Sequence, residues 1–226
     1  MNCTVKDTCK LFDGNTCVYD TKFCMRKFKI EYLLSQTLLT DFQLNDTKLY
    51  ADVEDEGSYN FLSEIKTDIV SFVNQGNNLY IYSRYPGNGK TSWSIKLLKS
   101  YIYRIWPESK LVCKALFINV PKFLLALKAN ISNKSDYIEY INEHFYDTDI
   151  VIWDDIGTKA ATEFEHEHLL SMLDYRLINN KSNIFTSNVV PEELGLLVGD
   201  RLASRIINTS EKVEFKGKDK RGIKLV

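Results

Sequence analysis

The chain has 226 residues, 29 of them basic, 30 acidic, and 44% hydrophobic. That composition supports a packed core and excludes a disordered, collagen-like or uniformly basic nucleic-acid-coating protein. No apolar run is long enough to span a bilayer, and the first residues, MNCTVKDTCKLFDGNT, lack the apolar stretch of a secretory signal.

The front of the chain is rich in cysteine. Cys3, Cys9, Cys17 and Cys24 are spaced C-x5-C-x7-C-x6-C, and Cys113 stands apart. Without a signal segment the expected compartment is the reducing cytoplasm, where disulfides are rare. Four thiols in a short polar stretch suit a closed tetrahedral zinc site, which would supply folding energy that a small segment cannot draw from a core. Unpaired thiols in a tail are the competing reading, because the spacing lacks C-x2-C pairs. Cys113, before an apolar run, reads as a core thiol. The stretch MRKFKIEYLLSQTLLTDF follows, with Phe28, Ile30, Tyr32 and Leu33 compatible with a short helix. Asn45 to Gly57 is polar and acidic and reads as a connection. The expected organisation is a cysteine-rich module over residues 1–50 and a second domain over 51–226.

The second domain alternates strands and helices. Phe61, Ile65, Ile69, Phe72 and Val73 recur at helical spacing over residues 60–74, with Gly76 as C-cap. LYIYS (79–83), ALFINV (115–120), DIVIW (149–153) and SNIFT (182–186) read as strands. Helical segments separate them: 91–103, then PKFLLALKAN from Pro121, then 135–145 and 163–179. Apolar strands divided by helices predict an α/β fold with a parallel sheet covered on both faces.

The first strand runs into Arg84-Tyr85-Pro86-Gly87-Asn88-Gly89-Lys90-Thr91. The second half satisfies the phosphate-loop pattern G-x-x-x-x-G-K-[ST], while Arg84 stands where its first glycine belongs. Glycines let backbone N–H groups turn inward around phosphate oxygens, and the helix that follows adds its positive end. Pro86, Gly87, Asn88, Gly89, Lys90, Thr91 and Ser92 are therefore the candidate nucleotide contacts. Lys90 is placed to neutralise the β/γ-phosphates, and Thr91 to offer its hydroxyl to Mg²⁺. Trp93 reads as packing.

The third strand ends in Asp154-Asp155. Asp154 is the candidate magnesium-side carboxylate, and Asp155 the group that orients or deprotonates the attacking water. A simple helix N-cap is the alternative for these acids. The fourth strand ends Thr186-Ser187-Asn188, which makes Asn188 the candidate γ-phosphate or water contact, against an ordinary turn residue.

LYIYSRYPGNGKTSW, DIVIWDDIG and IFTSN, in this order, resemble the DnaC/DnaI-type helicase-loader ATPases of the AAA+ class, phage-encoded members especially. The resemblance runs from about Ser58 to the C-terminus. It implies a P-loop AAA+ core that binds ATP and Mg²⁺. It also implies a finger arginine reaching a neighbouring subunit's γ-phosphate, which falls on the helix GDRLASRI. Arg205 is the better match and Arg201 lies beside it; a solvated basic face is the alternative. A nucleotide-sensing arginine near the C-terminus falls on Arg221, although the basic tail could instead touch DNA phosphates. The family's N-terminal extension binds the helicase and in the DnaI branch holds zinc, which supports the four-cysteine reading. Arg84 for glycine, and Asp155 for the glutamate common in such ATPases, depart from the pattern and bear on hydrolysis rate.

His166 and His168 stand two apart on a helix, so they point away from each other and read as part of an exposed charged face. The function implied is ATP-dependent delivery of a hexameric DnaB-type replicative helicase onto single-stranded DNA. Subunits would associate through their ATP sites, in the cytoplasm (the host's, if phage-encoded) and away from membranes. Lys122 and Lys128 would be candidates for DNA phosphate contact. The rivals are a transposition-associated AAA+ ATPase, a P-loop small-molecule kinase and a zinc-dependent binding module that holds nucleotide only structurally.

Overall fold

The structure, a computed structural model, describes residues 24–45, 49 and 53–220. Five parallel strands form one sheet; four are buried between helical layers, and the fifth is a mostly exposed edge strand. They are β1 (Asn78–Tyr82), β2 (Ala115–Asn119), β3 (Ile150–Asp154), β4 (Ser182–Ser187) and β5 (Ser210–Glu214), in spatial order β2-β3-β4-β1-β5.

The period-two alternation of side chains divides each apolar run between two cores. Leu79, Ile81, Phe117, Ile150, Ile152 and Ile184 face one helical layer. That layer holds α1 (Met25–Ser35), α3 (Glu56–Thr67), α4 (Ile69–Asn74) and α5 (Lys90–Ile105); α2 (Asp41–Asn45) follows α1. Tyr80, Leu116, Ile118, Val151, Trp153 and Phe185 face the other. There lie α6 (Val120–Ala129), α7 (Asp136–His144), α8 (Glu163–Ile178), α9 (Gly195–Val198) and α10 (Asp200–Thr209).

Local chemistry sets the helix ends. Asn119 caps α6 by accepting the Lys122 N–H at 3.1 Å, and Pro121 occupies its first turn. Thr162 and Glu165 form a reciprocal capping box on α8, with the Glu165 carboxylate accepting the Thr162 N–H at 2.8 Å. Gly76, at φ +67°, closes α4 as expected.

Three features differ from the sequence reading. The helix expected over 60–74 is two: the backbone breaks at Asp68 (φ −118°, ψ 40°), which ends α3 and begins α4. Phe61 is accordingly exposed, and Leu62 takes its place in the core. The face of α1 is also rotated: Ile30, Leu33 and Leu34 are buried, whereas Phe28 and Tyr32 point outward. The i, i+3, i+4 set wins because it alone forms a continuous stripe. Finally, β5 adds a strand that the apolar pattern concealed, since only Val213 of its five residues is buried.

The described part of the front segment is docked on this domain. The buried face of α1 joins the α5 core, and the next residues line the free edge of β2. The Phe117 N–H donates to the Thr37 carbonyl at 2.7 Å, and the Tyr140 hydroxyl to the Gln36 carbonyl at 2.8 Å. An edge strand left bare would present unpaired N–H and C=O groups, so this cover is a structural requirement met from residues before 51.

Candidate phosphate-binding site

β1, β3 and β4 end side by side, and the candidate residues follow from their carboxyl ends. β1 connects past β4 to β2 through α5 on one face, and β4 connects past β1 to β5 through α9 and α10 on the other, so the two connections run in opposite directions at the β4–β1 boundary. Open parallel sheets bind ligands in the crevice outside the strand ends at such a point.

The loop from Arg84 to Gly89 turns directly off β1. Gly87 (φ +73°) and Gly89 (φ +106°) adopt left-handed conformations that side-chain-bearing residues rarely hold. Gly89 is the N-cap of α5, and the Trp93 N–H donates to its carbonyl at 2.9 Å. Asn88 is buried and ties the loop internally, its Nδ2 donating to Ser83 Oγ at 2.6 Å. Lys90 folds back so that Nζ donates to the Tyr85 carbonyl and to Asn88 Oδ1, both at 3.0 Å. These are the ammonium contacts that a phosphate oxygen would replace. Ser92 lies in the first turn of α5, and Pro86 is exposed on the rim. Trp93 is buried edge-on to Tyr59, at 5.2 Å between ring centroids. Arg84, the residue out of pattern, forms an ion pair with Glu193 at 2.8 Å beyond the end of β4.

The acidic pair meets this loop. Thr91 Oγ1 donates to Asp154 Oδ1 at 2.8 Å. Thr186 Oγ1, from the end of β4, donates to the same oxygen at 2.7 Å. Asn119 Nδ2 approaches Asp154 Oδ2 from β2 at 3.5 Å. Burial, aided by the neighbouring charge of Asp155, pushes the Asp154 carboxyl up to about 6 against the hydroxyl bonds that stabilise its anion. A divalent cation fits this position, because an oxygen-only set at the loop mouth suits a hard ion whose charge offsets that desolvation. Asp155 is half-buried and left-handed (φ +59°), with its N–H donating to Thr186 Oγ1 at 3.0 Å. A positive φ is uncommon for a residue with a side chain, so the turn at this second acid is strained.

Thr186 is the site residue the sequence reading passed over in favour of Asn188. Its signal was its place at the end of an apolar strand beside the acid-bearing one. Asn188 is exposed just past the end of β4. Arg205 pairs through Nε with Asp174 of α8 at 2.8 Å and is half-exposed; Arg201 is exposed beside it on α10. Neither is hydrogen bonded to the phosphate loop of its own chain. Lys128 is held at 3.1 Å by buried Glu165, and Lys122 lies over the Tyr137 ring at 4.7 Å, so both are engaged within the fold. Cys113 is buried, as expected.

His166 and His168 are not on an exposed charged face. Both are partly buried, and His168 packs beside Phe123 and Phe164. Among the described residues no group of three or more His, Cys, Asp or Glu side chains is arranged to hold a metal. Cys3, Cys9, Cys17 and Arg221 lie outside the described residues. Cys24 caps α1, its Sγ accepting the Lys27 N–H at 3.5 Å. No helix among the described residues is long and apolar enough to cross a membrane.

The chain is similar in sequence and fold to known proteins. The family described as the bacterial DnaA ATPase domain matches residues 55–209. The replicative helicase loader DnaC of Escherichia coli K12 is 26% identical over 155 residues, which are 68% of this chain and 60% of that loader. The aligned stretch thus spans less than two thirds of the relative's length. A crystal structure of a DnaC helicase loader superposes with a TM-score of 0.62 at 19% identity, covering 78% of this chain and all of that one. A DnaI crystal structure gives 0.62 at 18% identity over 79% of this chain and 95% of that one. Domain III of the Thermotoga maritima initiator DnaA gives 0.60 at 19% identity over 81% of this chain and 70% of that one.

Proposed function

This chain belongs to the bacterial DnaA ATPase-domain family, and on that premise we propose that it is an ATP-dependent loader that places a hexameric replicative helicase on single-stranded DNA. The observation that carries the nucleotide part is the Thr91–Asp154 hydrogen bond at 2.8 Å, which joins the phosphate loop to the acid strand. The loader part is supported by the resemblance of sequence and fold to DnaC and DnaI.

In this reading the amides around Gly87 and Gly89 and the start of α5 receive the triphosphate. Lys90 exchanges its two loop contacts for phosphate oxygens. Thr91 and Asp154 would hold magnesium, which would supply neutralisation of the phosphate charge. Asp155 orients the attacking water and accepts its proton, and Asn188 contacts the γ-phosphate from the end of β4. Arg205 and Arg201 serve a neighbouring subunit: they face outward on α10, and Arg205 would leave Asp174 for the incoming phosphate. Zinc at Cys3, Cys9, Cys17 and Cys24 belongs to the same reading, and metal content of the native chain tests it.

ATP turnover with and without single-stranded DNA, combined with capture of a replicative helicase, tests the proposal. The expected result is turnover that Lys90→Ala abolishes, with helicase retained by the full chain. Arg205→Ala should spare ATP binding and lower turnover only in assemblies. Deletion of residues 1–23 is the informative truncation for helicase capture, because α1 belongs to the core. ATP binding without helicase retention would reject the loader reading, and unchanged nucleotide affinity in Lys90→Ala would reject the site.

A further inference from the structure

The phosphate loop is gripped from outside by the segment that follows β5. Phe215 continues the sheet pairing, its N–H donating to the Tyr82 carbonyl at 2.8 Å. The chain then crosses the loop. The Lys220 N–H donates to the Gly87 carbonyl at 2.9 Å. Asp219 packs so tightly on Gly87 that a Cβ there would lie 1.7 Å from its Oδ1. Asn88 Nδ2 is 3.5 Å from the carbonyls of both Phe215 and Gly217.

What holds this crossing is Asp55, far away in sequence. Its carboxylate is fully buried at the start of α3. Oδ1 accepts the N–H groups of Lys216 at 2.7 Å and Gly217 at 3.0 Å, and Oδ2 lies 3.5 Å from Lys220 Nζ. Lys220 is further held over the Tyr59 ring at 5.3 Å. A buried carboxylate that takes two backbone N–H groups on one oxygen and faces a cation with the other is a strong anchor, because the two hydrogen bonds are charge-assisted and the ion pair is poorly screened.

The consequence lies in the peptide plane. In a trans peptide the C=O of one residue and the N–H of the next point in opposite directions. With the Gly87 carbonyl held by the Lys220 N–H, the Asn88 N–H points the opposite way, away from the residue 220 backbone. Inward-turned amides are what a phosphate loop requires.

We propose that residues 215–220 form a clasp that holds the phosphate loop in its anion-receiving conformation, with Asp55 as the positioning residue that locks it. This rests on the phosphate-loop reading, and the test separates the two. Affinity for a fluorescent ATP analogue and amide hydrogen exchange are measured on the full chain, on Asp55→Asn, on Lys220→Pro, and on Lys90→Ala. Lys220→Pro removes the N–H that holds the Gly87 carbonyl, keeps Arg221, and serves if Asp55→Asn does not fold. Both clasp variants should bind about tenfold more weakly and exchange faster over residues 84–91, because a loosened loop must order itself on binding. Saturating analogue should slow exchange at Lys216 and Gly217 in the wild type but not in Asp55→Asn, a reciprocity that mere loss of stability would not produce. Unchanged affinity and loop exchange in both clasp variants, with binding lost in Lys90→Ala, would overturn the clasp alone. Unchanged affinity in Lys90→Ala would overturn the loop reading; the clasp would then stand or fall on the exchange of residues 84–91.

Discussion

Two fully or nearly buried charges, Arg176 and Asp154, sit at opposite ends of the same central strands and are treated in opposite ways. Arg176 reaches from α8 to the amino ends of β3 and β4. Its guanidinium donates to Asn183 Oδ1 at 2.7 Å, to the Ser182 carbonyl at 2.7 Å, and to the Phe145, Thr148 and Asp149 carbonyls at 3.2–3.3 Å. Every arm of the fork is engaged, and Phe145 stacks beneath it at 5.3 Å. Asp154, at the carboxyl end of β3, has two hydroxyls on Oδ1 but only a 3.5 Å amide contact on Oδ2, and a second acid beside it. A saturated buried charge fastens the fold; one with spare lone pairs and a repelling neighbour has room for a cation, which is the role proposed for Asp154.

That contrast can be broken at either end. Arg176→Ala should cost the most, about 3–5 kcal/mol, because it strands several buried carbonyls and opens a cavity. Denaturant unfolding measures the loss; nucleotide affinity of the molecules that remain folded should not change. A stability change within 1 kcal/mol of zero, in the sense of ordinary surface substitutions, would mean that Arg176 is not the fastener its bonds suggest.

Asp154→Asn should act with the opposite sign. The folded carboxyl titrates at about 6 against an ordinary 3.8, so between those values the folded state binds more protons than the unfolded one. Stability of the ligand-free chain therefore falls as pH rises through that window, and the penalty is complete above about 6. The asparagine variant should be more stable by about 2 kcal/mol at pH 7.5, with the gain vanishing by pH 4. Its magnesium-dependent nucleotide binding should be lost. In the wild type that binding should weaken as pH drops below about 6, where protons compete for the carboxylate. Thermal unfolding of both chains across pH, without and with magnesium, checks each sign.

The smallest effect sharpens the comparison. Thr186→Val removes one hydroxyl from Asp154 and one acceptor from the Asp155 N–H, at about 1 kcal/mol of stability. It should also shift the pH midpoint of magnesium-dependent binding upward, since a bond favouring the anion is gone. A midpoint that moves down would show that the hydroxyl does not support the charged form.

Much of the domain was written locally. β1 to β3 are short, largely apolar runs bounded by turn residues, and β4 carries Ile184 and Phe185 between polar residues. The loop from Pro86 to Thr91 can be read residue by residue because its glycines, lysine and threonine each answer a separate demand of phosphate geometry. The Asp154-Asp155 pair ends an apolar strand and announces itself in the same way. These features depend on neighbours within a few residues, so the order of amino acids determines them.

The remainder depended on contacts between residues far apart in the chain. β5 reads as polar because, beside β1 at the sheet edge, it needs to bury only Val213. Thr186 reaches Asp154 only when β4 is placed beside β3, which the strand order alone decides. Likewise Lys128, a DNA candidate by its charge, belongs to Glu165, and Asp55, in a stretch that reads as a connector, governs a turn across the domain. Backbone preference and burial pattern are short-range properties and survive in sequence; the pairing of charges and hydrogen-bond donors is long-range, and only the packed sheet and its helices could assign it.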